Sequence, residues 1–220
     1  MFGIPCRVHP AFWVMGAVMG YSPGWAAALG INVMAVVFLW WIVIFVSILI
    51  HELGHALMAE YFGWPSNILL YHFGGLAFYQ PIRGRTAAKN IAVAFAGPGA
   101  GFILYGLTLG FEQMAFDNDW FVGNRIYAYM ITQMKYLNLW WGLVNLLPVL
   151  PLDGGRICQE ILGLTKLRNS DVVSVKIGIV VAGAVAAYVL TTSDQRYVGF
   201  LFLFLAVNNY QSLQQRGSRW

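Results

Sequence analysis

The stretch IHELGHAL, residues 50–57, holds two histidines and a glutamate at a spacing suited to splitting water at a metal. On a helix, His51 and His55 differ by about 40° of rotation and one turn, so both imidazoles can reach one zinc ion. Glu52 lies about 100° round from His51, within reach of a water held by that ion. Zinc lowers the pKa of such a water towards roughly 7. A neighbouring carboxylate can then accept its proton and later pass it to a leaving amine. This is the HExxH logic of metalloproteases. A purely structural reading is poor, because ionisable side chains inside an apolar helix are costly and usually functional.

Zinc requires a third protein ligand and an open fourth position. Glu60 is on the opposite side of the same helix, about 180° from His51, and reads as an exposed or interface acid. His72 falls in a short β-rich segment and could approach, although a hydrogen-bonding interfacial histidine is the plainer reading. Asp153 follows NLLPVLPL and precedes two glycines. Such irregular backbone near membrane depth is expected where helix ends line a cavity. Asp153 is therefore favoured over its alternative, an Asx-type cap on a helix beginning near Gly154.

The surrounding chain must hold these residues in a membrane. Of 220 residues, 59% are hydrophobic and 10% charged, against about 25% charged in soluble domains. An all-α polytopic membrane protein with about six transmembrane helices is expected. The spans fall near 10–29 (broken at YSPGW), 31–62, 91–111, 126–147, 177–192 and 197–210, with an amphipathic piece within 156–176. Residues 68–81 are too short to span and read as a membrane-embedded β-hairpin after the second helix, with Gly74 and Gly75 between its arms. With the N-terminus inside, only Arg125, Lys135 and Arg196 of the 13 basic residues lie outside, so both termini are expected in the cytoplasm. That puts the His51–His55 turn and Asp153 on one side. The charge of +4 follows from this loop bias, and no basic, aromatic-interleaved run suggests nucleic acid. The two cysteines, Cys6 and Cys158, form no framework and read as plain thiols. The N-terminus lacks the marks of a cleaved signal peptide. Trp40, Trp41, Trp140 and Trp141 read as lipid-facing or interfacial anchors, and Gly97-Pro98 as a packing contact between helices.

HELGHALMAEYFG and NLLPVLPLDGGR, in that order and about a hundred residues apart, together resemble the site-2 protease family of intramembrane zinc metalloproteases. FGGLA at 73–77 and AFAGPGAG at 94–101 extend the resemblance to that family's hairpin and Gly-Pro helix. It covers roughly residues 40–165. The resemblance implies that His51, His55 and Asp153 ligate one zinc per chain and that Glu52 is the general base. Asn145 would be a polar group near the scissile carbonyl or substrate backbone. Pro148 and Pro151 would unwind the chain so that Asp153 turns to the metal, and Gly74 and Gly75 would let the hairpin turn beside the substrate. No PDZ-sized insertion follows the hairpin and no regulatory domain is expected after the sixth span. His72 departs from the apolar or proline residue common in the family.

The expectation is thus a single transmembrane metalloprotease domain over residues 1–220, with its catalytic core at about 40–165. It would cut a membrane-tethered protein in or near its spanning helix and release a cytoplasmic signalling fragment. The bilayer and a membrane-spanning substrate are its partners, a regulatory membrane protein being left open. The minimal form suggests a prokaryotic cell membrane. The rivals are a non-proteolytic zinc-binding membrane protein and a metal transporter. Intact Glu52 opposes the first, and a single polar cluster at one depth opposes the second.

Overall fold

The computed structural model describes residues 3–71, 74–82, 84–165, 167, 169–192 and 196–217, the side chains of 215–217 excepted. Its elements run β1 (Cys6–Val8), α1 (Pro10–Gly20), α2 (Pro23–Leu29), α3 (Val33–Tyr61), β2 (Ser66–Tyr71), β3 (Gly74–Tyr79), α4 (Ala87–Asp117), α5 (Arg125–Asn145), α6 (Asp153–Gly163), α7 (Ser170–Thr192) and α8 (Arg196–Gly217). The fold is mostly helical. Among the described residues, three helices, α3, α4 and α7, are long and apolar enough to cross a membrane. The chain divides into two compact units, one of Met1–Gly84 with Ala96–Gly142 and one of Arg85–Phe95 with Leu143–Trp220.

In the first unit, α3 has 29 residues and is about 43 Å long, more than the ~30 Å of a hydrocarbon core. Asn32 caps its start, its Oδ1 accepting from the Met34 N–H at 2.7 Å. Its end is set by Gly63 at φ 75°, where the Gly63 and Trp64 N–H groups donate back to the carbonyls of Glu60 and Ala59, a glycine-terminated helix end. Glu60 then reaches forward, its Oε1 accepting from the backbone N–H of Ser66 at 2.8 Å. That acid, expected to be exposed and to face away from the histidines, is exposed and fixes where β2 begins.

The β-hairpin is present and belongs to a three-stranded sheet in the order β1-β2-β3. β2 pairs antiparallel with β3, Tyr71 opposite Gly74 and Leu70 opposite Gly75. The two glycines are therefore the first residues of β3 and not the turn. His72, the other candidate near this corner, lies outside the described residues. β1 pairs parallel with β2, Cys6 opposite Ile68, and was not expected. The three residues of β1 are too few to show a strand period. Ile68 and Leu70 on β2 are buried with Ile44, Ile48, Leu53 and Ala56 of α3, so the sheet lies on the face of α3 that carries the histidines.

The long span 91–111 is longer than expected, because α4 continues for 31 residues through Pro98. The first apolar block is two helices, broken where Ser22 caps α2. In the second unit, α6 begins at Asp153 and α7 at Ser170. Val149, Ala182, Ala186, Phe202, Leu205 and Ala206 form its core.

Candidate metal centre

The two histidines point one ring nitrogen each at the same space. His51 Nε2 and His55 Nε2 are 3.2 Å apart, with the ring planes at 82°. Two nitrogens each about 2.0–2.1 Å from a tetrahedral zinc would stand about 3.3–3.4 Å apart. The pair is thus already spaced for one ion, and the chemistry of two imidazoles suits zinc. Both rings are buried, as is Glu52 between them in sequence.

Neighbouring elements leave room for these side chains by omitting their own. A methyl group on Gly97 of α4 would run into the His55 ring, coming within 2.7 Å of its Cδ2 and nearer still to Nε2. The expected packing contact at Gly97-Pro98 is therefore made, and its partner is His55. A methyl group on Gly75 would lie 2.6 Å from Glu52 Oε1 and closer to the side-chain carbons, so β3 passes directly over the carboxylate. Gly74, at φ 146°, takes a backbone conformation that favours glycine, and a Cβ there would meet Trp141 at 3.1 Å.

Trp141 is a correction to the reading of the tryptophans as lipid-facing anchors. Its ring stands edge-on to His51, with centroids 6.5 Å apart. Trp41 donates its indole N–H to the Trp13 carbonyl at 3.0 Å, and Trp40 packs where Gly20 leaves space. Of the four, only Trp140 is exposed. One turn before Trp141 on α5, the buried Asn138 donates to Ser47 Oγ at 2.9 Å and to the Met134 carbonyl at 2.9 Å. Ser47 itself is one turn before His51. Sequence reasoning passed over this pair, although a serine in FVSILIHE and an asparagine in KYLNLWW are polar residues in apolar helices, where they find one another.

In the second unit, Asp153 is 6% exposed and is the first residue of α6. Leu152 occupies the cap position without a side-chain hydrogen bond, so the Asx-cap alternative for Asp153 does not hold. His51 and His55 in the first unit and Asp153 in the second are all buried and each offers a ligand atom of a kind that zinc takes. Asn145 is the last residue of α5 and is half-buried.

Residues 119–191 match peptidase family M50. A zinc metalloprotease of Methanocaldococcus jannaschii is 32% identical over 166 residues, 74% of this chain and 44% of that protein. The stage IV sporulation protein FB of Bacillus subtilis is 28% identical over 217 residues, 96% of this chain and 66% of that protein. The site-2 protease structure from M. jannaschii covers 97% of this chain and 92% of its own, with TM-score 0.57 and 25% identity. The likeness is to peptidase family M50, the site-2 proteases. The alignments span 44% and 66% of the lengths of these two curated relatives. The M50 match takes in α5, α6 and most of α7, including Asp153. The paired motifs therefore led to the same family as the comparisons.

Proposed function

We propose that the chain is an intramembrane zinc metalloprotease that hydrolyses a peptide bond in or near the transmembrane segment of a membrane-tethered protein, releasing a cytoplasmic signalling fragment. The observation that carries this reading is the pair of His51 and His55 Nε2 atoms, 3.2 Å apart, with Glu52 buried in the same turn. The M50 match and the zinc metalloprotease named among its relatives support it.

In this mechanism, His51, His55 and Asp153 are the residues that would hold one zinc. Bound zinc supplies a Lewis acid that acidifies water and polarises a carbonyl. Glu52 accepts a proton at its carboxylate and delivers it to the leaving amine. Burial of Glu52 excludes bulk water from that transfer. Gly75 lets β3 lie close over the carboxylate, and Gly74 gives the strand its start. β3 is an edge of the sheet, so its backbone can pair with an unwound substrate segment. A helix cannot be cut directly, because its carbonyls are engaged in its own hydrogen bonds. Asn145 polarises the developing oxyanion. The reading is completed by a six-span topology with both termini in the cytoplasm, one catalytic domain over residues 1–220, and a prokaryotic cell membrane. The three described helices that are long and apolar enough to cross a membrane support the membrane setting of this reading.

The test is cleavage of a membrane-spanning substrate by the purified chain in detergent, for wild type and Glu52→Gln, with zinc assayed on both. We expect equal zinc and a loss of cleavage of about 10²–10⁴-fold in the variant. Cleavage that survives in Glu52→Gln would remove Glu52 as the base. Zinc in both proteins without cleavage of any substrate tried would favour a non-proteolytic zinc protein.

A further inference from the structure

The segment LLPVLPL between α5 and α6 cannot be helical throughout. Pro148 and Pro151 lack N–H groups and disrupt the ladder, leaving carbonyls that need other donors. Short turns satisfy part of the segment: Val149 donates to Leu147 O at 2.7 Å and Leu152 to Val149 O at 2.8 Å. The Leu150 carbonyl, three residues before Asp153, takes its hydrogen bond from another helix. Asn209 of α8 donates to it through Nδ2 at 2.7 Å.

Asn209 is 3% exposed. Its second amide N–H goes to the Leu205 carbonyl at 2.8 Å. Two carbonyl oxygens on one side fix which end of the amide faces them. Its Oδ1 is buried with no hydrogen-bond partner among the described residues. The side chain therefore acts here as a donor alone, and an aspartate of the same shape would face two carbonyl oxygens.

The surroundings leave the segment little slack. Val149 is fully buried against Phe202, Leu205 and Ala206. Gly178 of α7 lets that helix come close, since a Cβ there would lie 3.1 Å from Asn209 Oδ1 and 3.3 Å from Pro148 O. The first turn of α6 sits on the same segment, since a Cβ on Gly154 would lie 2.5 Å from Leu147 O and one on Gly155 2.6 Å from Val149 C.

We propose that Asn209 is a positioning residue for the metal centre: by clamping the Leu150 carbonyl it sets the direction in which Asp153 leaves the loop. The proposal rests on the reading of Asp153 as a metal ligand. α8, which carries none of the proposed ligands, thereby controls metal affinity.

The test compares zinc dissociation constants, by chelator competition on the full chain in detergent, for wild type, Asn209→Leu, Asn209→Asp, Asp153→Ala and Asn138→Leu. Cobalt(II) absorption provides a second readout of the ligand field. Asn209→Leu is expected to bind zinc about tenfold or more weakly and to alter the cobalt spectrum, with Asn209→Asp behaving alike. Asn138→Leu, which loses a buried hydrogen bond elsewhere, should keep wild-type affinity. If Asn209→Leu does not fold, Asn209→Ala is read by the same assays. Wild-type affinity in the Asn209 variants, with zinc lost in Asp153→Ala, would overturn the clamp. So would equal losses in the Asn209 and Asn138 variants, because the effect would then be general destabilisation. Wild-type affinity in Asp153→Ala would instead overturn the ligand assignment beneath it.

Discussion

His55 stands in a niche that exists because Gly97 has no side chain. In the structure an added methyl would occupy the space of the imidazole, and the ring, being the terminal group, would have to turn away from His51. Gly97→Ala is therefore expected to weaken zinc binding at least tenfold, by analogy with the loss of other groups that orient ligands. Gly106, nine residues further along α4, is different: a Cβ added there would have no neighbour within 4 Å. Gly106→Ala should keep zinc affinity and raise stability by about 0.4–1 kcal/mol, through lower entropy of the unfolded chain. Thermal melts and chelator titrations on the two variants separate the effects, and equal zinc affinity in both would show that the niche is not needed. At this scale the sequence was most informative about residues with chemistry of their own. HExxH spacing marks His51, Glu52 and His55 because helix geometry follows from local backbone alone. It cannot mark Gly97 or Gly75 as their neighbours, since those contacts arise between elements distant in sequence.

Between elements, a buried hydrogen bond from Asn138 to Ser47 joins α5 to α3. Ser47 stands in the apolar stretch VIFVSILI of α3, where the two polar groups satisfy one another. Asn138→Leu should cost about 0.6–1.7 kcal/mol, the range of interhelical hydrogen bonds in membranes. Ser47→Ala should cost no more, and the double variant should cost less than the sum if the two act as a pair. Strict additivity in detergent unfolding would show that the contact contributes nothing. The long apolar stretch of α3 and the hairpin were legible, because each has a clear pattern over enough residues. β1 was not, because its three residues gain their hydrogen bonds only from β2, about 60 positions further on. The placement of Gly74 and Gly75 was misjudged for a related reason. A Gly-Gly pair usually signals a turn, but here the requirement is the closeness of β3 to Glu52.

For the whole molecule, the orientation in the bilayer can be read from its two cysteines. Cys6 is exposed and Cys158 half-buried. Burial pushes the Cys158 thiol up from its ordinary value, which lowers its thiolate fraction at neutral pH, and the thiolate is the reactive form. In detergent, alkylation at neutral pH should be faster at Cys6, and the rate at Cys158 should go on rising with pH past the range where an ordinary thiol has finished ionising. In intact cells, a membrane-impermeant maleimide should label neither if both lie on the cytoplasmic side, whereas a permeant one should label Cys6. Labelling of Cys6 by the impermeant reagent would reverse the topology. Composition made the membrane setting plain, since 10% charged residues cannot coat a soluble surface. The number of crossings is harder to read, because α5 and α8 carry polar residues along their length and only three helices among the described residues are uniformly apolar.

The parallel pairing of β1 with β2 has a practical consequence for anyone who handles this protein. Pro5 accepts a hydrogen bond from Ile68, and His9 donates one to Leu70, so the opening residues are woven into the sheet whose far strand covers Glu52. An affinity handle or fluorescent label inserted directly before β1 would adjoin that weave. It would pull on the strands above the carboxylate each time it moved, and so dim activity with no change in fold.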